Sequence, residues 1–149
     1  MGAMARPVSG PTAALPRYRS NSLEWAPLAG AVPSARRWTR VMLAEWGLAD
    51  LSGASEHVVS ELITNAVEAH QRERLAAPVR LTLIAGLGTV LVIVRDASTA
   101  RPAAVTPAGE DEHGRGLLIV EALSARWDVR YRRDGGKAVR ALIRGQRRA

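Results

Sequence analysis

The sequence predicts an α+β domain of two layers, one mixed sheet with helices packed on one of its faces. Three observations lead there. Apolar residues recur at helical spacing over 35–46 and 58–66, they alternate with polar ones over 79–85, and strand-like segments come in adjacent pairs with helical segments between them. At 149 residues, 47% of them hydrophobic, the chain suits one domain that buries a core without staples. It holds no cysteine, which removes disulfides and thiolate–zinc sites.

Residues 1–17 are rich in Pro, Ala, Gly and Ser without periodicity and read as a disordered segment; 18–145 read as the single domain and 146–149 as a basic tail. Tyr18 to Trp25 fits a short first strand. Pro33 and Ser34 open a helical stretch in which Ala35, Trp38, Val41, Met42, Leu43 and Trp46 follow helical spacing, and Gly47 supplies the stop. Ser55 suits the N-cap of a second helix running to about Gln71. Val79, Leu81, Leu83 and Ala85 then alternate with polar residues, and Gly86–Gly88 turns the chain into the nearly all-apolar "TVLVIVRD", a central strand. Residues 97–113 show no periodicity, and a stretch so long inside a compact domain is usually functional or mobile. "GRGLLIVEALSARW" reads as a helix with a glycine-flanked start near Leu117, followed by strands near Trp127–Arg132 and Ala138–Ile143 about the turn "RDGGK". Leu117, Leu118, Val120, Leu123 and Trp127 read as core, Trp38 and Trp46 as packing between helix and sheet.

The formal net charge is +7, yet Lys137 is the only lysine and the arginines are scattered except at 130–133 and in the tail. A solvated basic face accounts for them, and no basic helix with base-reading side chains points to nucleic acid. The longest apolar run, near Val90–Val94, is too short for a bilayer, and the N-terminus lacks an apolar stretch of signal-peptide length. The chain therefore reads as cytoplasmic, with no membrane partner.

Chemistry concentrates in "SELITNAVEAH" (Ser60–His70). On a helix Glu61 and Asn65 lie about 40° apart, at the flank of an apolar face made by Val58, Val59, Leu62, Ile63 and Ala66. Such an edge can bury one side and present polar groups to a cleft. Asp96 ends the apolar strand, where a carboxylate is poorly solvated unless something donates to it. Gly114-Arg115-Gly116 opens a helix whose free N–H groups make an anion site.

In this order, "SELITNAVEAH", a strand ending "VRDAS", "HGRGLLIVEALSARW" and "GGKAV" resemble the GHKL superfamily of ATP-binding domains, over roughly Ala35–Ile143. Within it the chain is most similar to the RsbW-like anti-sigma-factor serine kinases. The resemblance implies a Bergerat-type ATP-binding fold that takes ATP with Mg²⁺. It implies that Asn65 ligates Mg²⁺ on the nucleotide phosphates, a task suited to a hard, neutral amide oxygen. Glu61 would be the general base, drawing a proton from water or from a partner's serine hydroxyl. Asp96 would accept a hydrogen bond from adenine's exocyclic amine, and Gly114, Arg115 and Gly116 would meet the phosphates. Residues 97–113 would form a lid over the nucleotide. The implied partners are a sigma factor and an anti-anti-sigma protein of the STAS type, and the implied assembly is a homodimer. The alternative is a catalytically weak nucleotide- or protein-binding module that sequesters a partner without phosphotransfer.

Four positions depart from the family pattern. Ser98 and Ala100 stand where the first glycine box has glycines, which puts lid mobility and nucleotide affinity in question. Ala69 stands where a histidine is usual, with His70 one place later and about 100° round the helix. Ala138 lacks the hydroxyl often found after the last glycine turn, so the sequence leaves phosphotransfer undecided.

Overall fold

A computed structural model describes residues 18–100 and 112–145, with the backbone alone for 112–116. The expected disordered segment 1–17, most of the expected lid and the basic tail lie outside the described residues. In chain order the elements are strand β1 (Arg19–Trp25), helix α1 (Ala31–Glu45), a 3₁₀ turn (Ala49–Leu51), helix α2 (Ser52–Glu73), strands β2 (Val79–Gly86) and β3 (Thr89–Asp96), helix α3 (Glu112–Leu123), and strands β4 (Arg126–Tyr131) and β5 (Lys137–Arg144). The strands form one sheet in the order β1-β2-β3-β5-β4.

The two-layer α+β architecture is the expected one, with one difference: every pairing in this sheet is antiparallel rather than mixed. The reason lies in the connections. β2–β3 and β4–β5 are tight hairpins, and β5 then enters between β3 and β4, antiparallel to both. Leu87 and Gly88, at φ 55° and 70°, make the first hairpin's two-residue turn.

Alternation along the strands sends Val79, Leu81, Leu83 and Ala85 of β2, Val90, Val92 and Val94 of β3, and Val139, Ala141 and Ile143 of β5 to one face. These residues join Ala35 and Leu43 of α1 and Val58, Val59, Leu62 and Ile63 of α2 in one core. β3 reads as continuously apolar because Leu91 and Ile93, on the other face, are apolar too. That outer face carries half-buried Ile84, Leu91 and Leu142 beside Arg80, Arg95 and Arg140.

α1 begins at Ala31, so Pro33 falls in the first turn, where its missing N–H costs nothing. Gly47, at φ 72°, ends it: Leu48 N–H reaches Leu43 O at 2.8 Å and Gly47 N–H reaches Ala44 O at 3.2 Å. Trp38 packs edge-on to Trp25, with ring centroids 6.0 Å apart, and both Trp38 and Trp46 lie against the core as expected.

Ser55 is not the N-cap of α2. The 3₁₀ turn runs directly into the helix at Ser52, which carries Ser55 onto the buried side, where its Oγ has no hydrogen-bond partner among the described residues. A buried hydroxyl without a partner is a net cost. Ser55→Ala should therefore leave stability unchanged or raise it by up to about 1 kcal/mol, read as a rise in Tm.

α1 is tied to α2 by Arg40, whose Nε and Nη2 donate to Glu56 Oε1 at 3.0 and 2.7 Å, while Ser52 Oγ donates to Oε2 at 2.8 Å. Burial works to raise the Glu56 carboxyl, but the bonds from Arg40 and Ser52 outweigh it and the net direction is down. A depressed folded value means stability that is full above the ordinary carboxylate range and lost as pH falls through the folded value. Asp128, held at 2.8 Å by Arg140 Nε, is lowered in the same sense. Thermal unfolding against pH should show this acid-side loss, and Arg40→Met should shrink it.

Candidate functional site

α2 carries Glu61 and Asn65 at half-buried positions on one flank. No hydrogen bond or ion pair ties Glu61 among the described residues, so its carboxylate is available to an incoming group. Asn65 is more telling. Its Nδ2 is buried and has no hydrogen-bond partner among the described residues. Turning the amide by 180° exchanges its oxygen and nitrogen, so this unsatisfied group can offer either an acceptor or a donor to something external.

The helix ends in a closure like that of α1, with Leu75 N–H reaching His70 O at 2.8 Å and Arg74 held at φ 54°. Its last turns clamp the end of β3. His70, fully buried, accepts the Ala97 N–H at Nε2 (2.9 Å) and faces the Ala77 carbonyl through Nδ1 (3.0 Å). A proton on Nδ1 and none on Nε2 satisfies both contacts at once. Ser98 Oγ donates to the Glu73 carboxylate and accepts the Ala100 N–H at 3.1 Å. The residue standing in place of a glycine thus fastens the segment after β3 to the last residue of α2.

Asp96 therefore sits against the same helix that presents Glu61 and Asn65. Asn65 precedes Glu73 by about 12 Å along the helix axis and about 80° of rotation. Asp96 itself faces the helix side of the sheet, in register with Lys137 at the start of β5. Lys137 Nζ lies 2.9 Å from Asp96 Oδ1, and the two side chains are only 4% and 2% exposed. The Ser98 N–H donates to the same oxygen at 2.9 Å. Burial pushes the Asp96 carboxyl up from its ordinary value, and Lys137 and the Ser98 N–H oppose that without cancelling it. The sign is opposite to that of Glu56: a raised folded value gives stability present below the unfolded value and lost as pH rises through the folded one.

The turn before Lys137 is built for this approach. Gly136 has φ 87°, and a Cβ there would lie 2.4 Å from the Asp96 carbonyl oxygen. Ala138, where a missing hydroxyl was expected to matter, points by alternation to the outer face, opposite Arg95. The β5 residue that faces Asp96 is Lys137.

α3 starts at Glu112 rather than near Leu117, so Gly114, Arg115 and Gly116 lie inside its opening turns instead of ahead of it. Among the described residues, the N–H groups without intrahelical acceptors belong to 112–114, which include Gly114 but neither Arg115 nor Gly116. α3 packs against α2, and the helix runs through its two glycines despite their low helix propensity. The Arg115 side chain lies outside what is described. Leu117 and Val120 are buried and Trp127 packs on the core, but Leu118 and Leu123 are 48% and 37% exposed, contrary to expectation. Leu118 turns about 100° from Leu117, off the stripe that meets α2.

A family model for the histidine kinase-like ATPase domain matches residues 25–143, a span that contains every site residue named above. The chain belongs to this family. No curated protein gives a significant match. As a histidine kinase-like ATPase domain the chain is an ATP-binding fold, and its α+β sheet with three helices on one face agrees with that. No helix among the described residues is long and apolar enough to cross a membrane. The unsatisfied Asn65 amide fits the magnesium-bearing nucleotide this family takes: it is a neutral group that can present a hard oxygen.

Three participants escaped sequence reasoning: Lys137, His70 and Glu73. The first was findable. In β5, Lys137 shares its face with Val139, Ala141 and Ile143, and in β3, Asp96 shares its face with Val90, Val92 and Val94, so pairing the two strands puts both charges on the covered side.

Proposed function

We propose that this histidine kinase-like ATPase domain is an ATP-dependent protein serine/threonine kinase of the anti-sigma type. In this reading it binds a sigma factor and phosphorylates a serine on an anti-anti-sigma partner of the STAS type, working as a cytoplasmic homodimer. Mg·ATP supplies the electrophilic γ-phosphoryl group. Asn65 would lend its amide oxygen to Mg²⁺, adding no negative charge beside the triphosphate. Asp96 would accept from the adenine amine, and the open N–H groups of α3 would face phosphate oxygens. Glu61 would accept the hydroxyl proton of the partner's serine as the serine oxygen takes the phosphoryl group and ADP departs.

One observation supports this reading most: half-buried Asn65, whose buried Nδ2 has no partner among the described residues, stands one turn from Glu61, which none of them tethers, on the helix whose end holds the Asp96 segment. The test is to recover partners with the full chain, with and without Mg·ATP, and to assay phosphate transfer to them. Transfer to a serine of a recovered protein is the expected result; Mg·ATP binding without transfer to any recovered protein would overturn the kinase assignment. That second outcome is the alternative, a module that binds nucleotide weakly and sequesters its partner. Ser98, which stands where the glycine box has a glycine and is fixed to Glu73 and the Ala100 N–H, favours it, because it restrains the segment after Asp96.

A further inference from the structure

Asp96 offers its two oxygens unequally. Oδ1 accepts both from Lys137 Nζ and from the Ser98 N–H, each at 2.9 Å, so both its lone-pair directions are used. Oδ2 has no hydrogen bond among the described residues. A proton arriving on this carboxyl therefore goes to Oδ2, and it turns the one free acceptor into a donor. What Asp96 can recognise thus depends on its charge. An ionised Asp96 accepts from an amine and repels a carbonyl oxygen. A neutral Asp96 can donate to that carbonyl.

We propose that Lys137 is a positioning residue that sets purine specificity: by holding Oδ1 in a buried ion pair it keeps Asp96 ionised, so Oδ2 admits a 6-amino purine and rejects a 6-oxo purine. The inference rests on the reading of Asp96 as the residue that meets the base. Several features make Lys137 the deciding partner. The pair is in direct cross-strand register, it is nearly sealed from water, and Gly136 brings the start of β5 against the Asp96 backbone. Lys137 Nζ also lies 3.4 Å from the Ser98 carbonyl, so the ammonium is fixed from two sides.

Burial alone drives this carboxyl toward its neutral form. Among the other charged or titratable groups around it, His70 also lowers the carboxyl, but by less than Lys137 does. His70 of α2 bonds the Ala97 N–H and the Ala77 carbonyl rather than Asp96 itself, and Glu73 is held by Ser98. Arg80, Arg95, Arg132, Glu24 and Asp134 line, with Asp96, an open cleft of about 270 Å³ in which water screens them. An opposite charge in contact favours the ionised form by roughly ten- to a thousandfold, so removing Lys137 raises the ratio of neutral to ionised Asp96 by about that factor.

The test measures Kd for Mg·ATP, Mg·GTP and Mg·ITP with the full chain, comparing wild type with Lys137→Met, Lys137→Arg and Asp96→Asn. Wild type should prefer ATP by about a hundredfold or more. Lys137→Met should cut the ATP-to-ITP ratio by about tenfold or more, and further on acidification, while Lys137→Arg keeps it near wild type. A purely structural role would weaken all three nucleotides together and leave the ratio unchanged. An unchanged ratio in Lys137→Met overturns the inference and leaves Asp96 as the base-reading residue. Loss of nucleotide preference only in Asp96→Asn overturns it equally. Wild type that binds no nucleotide, or binds all three alike, overturns the reading of Asp96 and the inference with it. If Lys137→Met does not fold, the carboxyl ¹³C shift of Asp96 in wild type decides: an ionised group at neutral pH is expected, and a protonated one overturns the proposal.

Discussion

Glu61→Ala should lower phosphotransfer by about 10²- to 10⁴-fold while leaving the Kd for Mg·ATP within about twofold of wild type. The split follows from where the residue stands. Glu61 sits on the flank of α2, half-buried, one turn from Asn65 and with no bond to another described residue. Its removal disturbs no buried partner, so folding and nucleotide binding should persist. What disappears is the group that would take the serine proton. Steady-state transfer to the recovered partner, with Kd measured separately, reads both quantities. Transfer that survives in Glu61→Ala would remove the residue from the mechanism, and a large loss of binding would make its role one of holding nucleotide.

The second large effect is on stability. Gly136→Ala should cost about 3 kcal/mol or more, a fall in Tm on the order of 10 °C. Two terms add. The backbone at φ 87° disfavours any side chain, and the new Cβ would meet the Asp96 carbonyl oxygen at 2.4 Å and the Ala97 Cα at 3.2 Å. Both neighbours are backbone atoms and cannot swing aside. Gly135→Ala is the built-in comparison: φ is 95°, yet nothing lies within 4 Å of its added Cβ. That variant carries conformational strain alone, about 1–2 kcal/mol. The difference between the two isolates the contact between the β4–β5 turn and the end of β3. Because that contact sets where Asp96 stands, Gly136→Ala should also weaken ATP binding, and Gly135→Ala should not. Equal losses of stability would mean that the turn does not press on β3.

Most of the fold is legible in the sequence because its signals are local. β2 declares itself by strict alternation, α1 by its apolar stripe and glycine stop, and the two hairpins by their glycines. What the sequence hides is non-local. That β5 enters between β3 and β4, making the sheet antiparallel throughout, depends on pairing across more than forty residues. Ser55 resembles an N-cap until the 3₁₀ turn ahead of it lengthens the helix by a turn and buries it. Gly114 and Gly116 look like the boundary ahead of α3, but the helix, packed on α2, runs through them despite their weak propensity.

The candidate site divides the same way. Glu61 and Asn65 share a flank by helical periodicity alone, and Asp96 marks its strand end. Their common setting appears only once His70 and Glu73 clamp the segment after β3 to the end of α2. His70 is displaced by one position from the usual motif, and in that displaced place it is fully buried and holds the Ala97 amide. Ser98, which replaces a glycine, supplies two hydrogen bonds that a glycine could not. These departures replace conformational freedom beside Asp96 with fixed contacts.

The most direct measurement is calorimetric titration of ATP into the full chain with and without Mg²⁺, for wild type and Asn65→Ala. Wild type should bind with a clear magnesium dependence, and Asn65→Ala should lose about tenfold or more in affinity in the presence of the metal while its metal-free affinity stays put. Absence of binding at about millimolar nucleotide, or a magnesium dependence that Asn65→Ala leaves intact, would contradict the account.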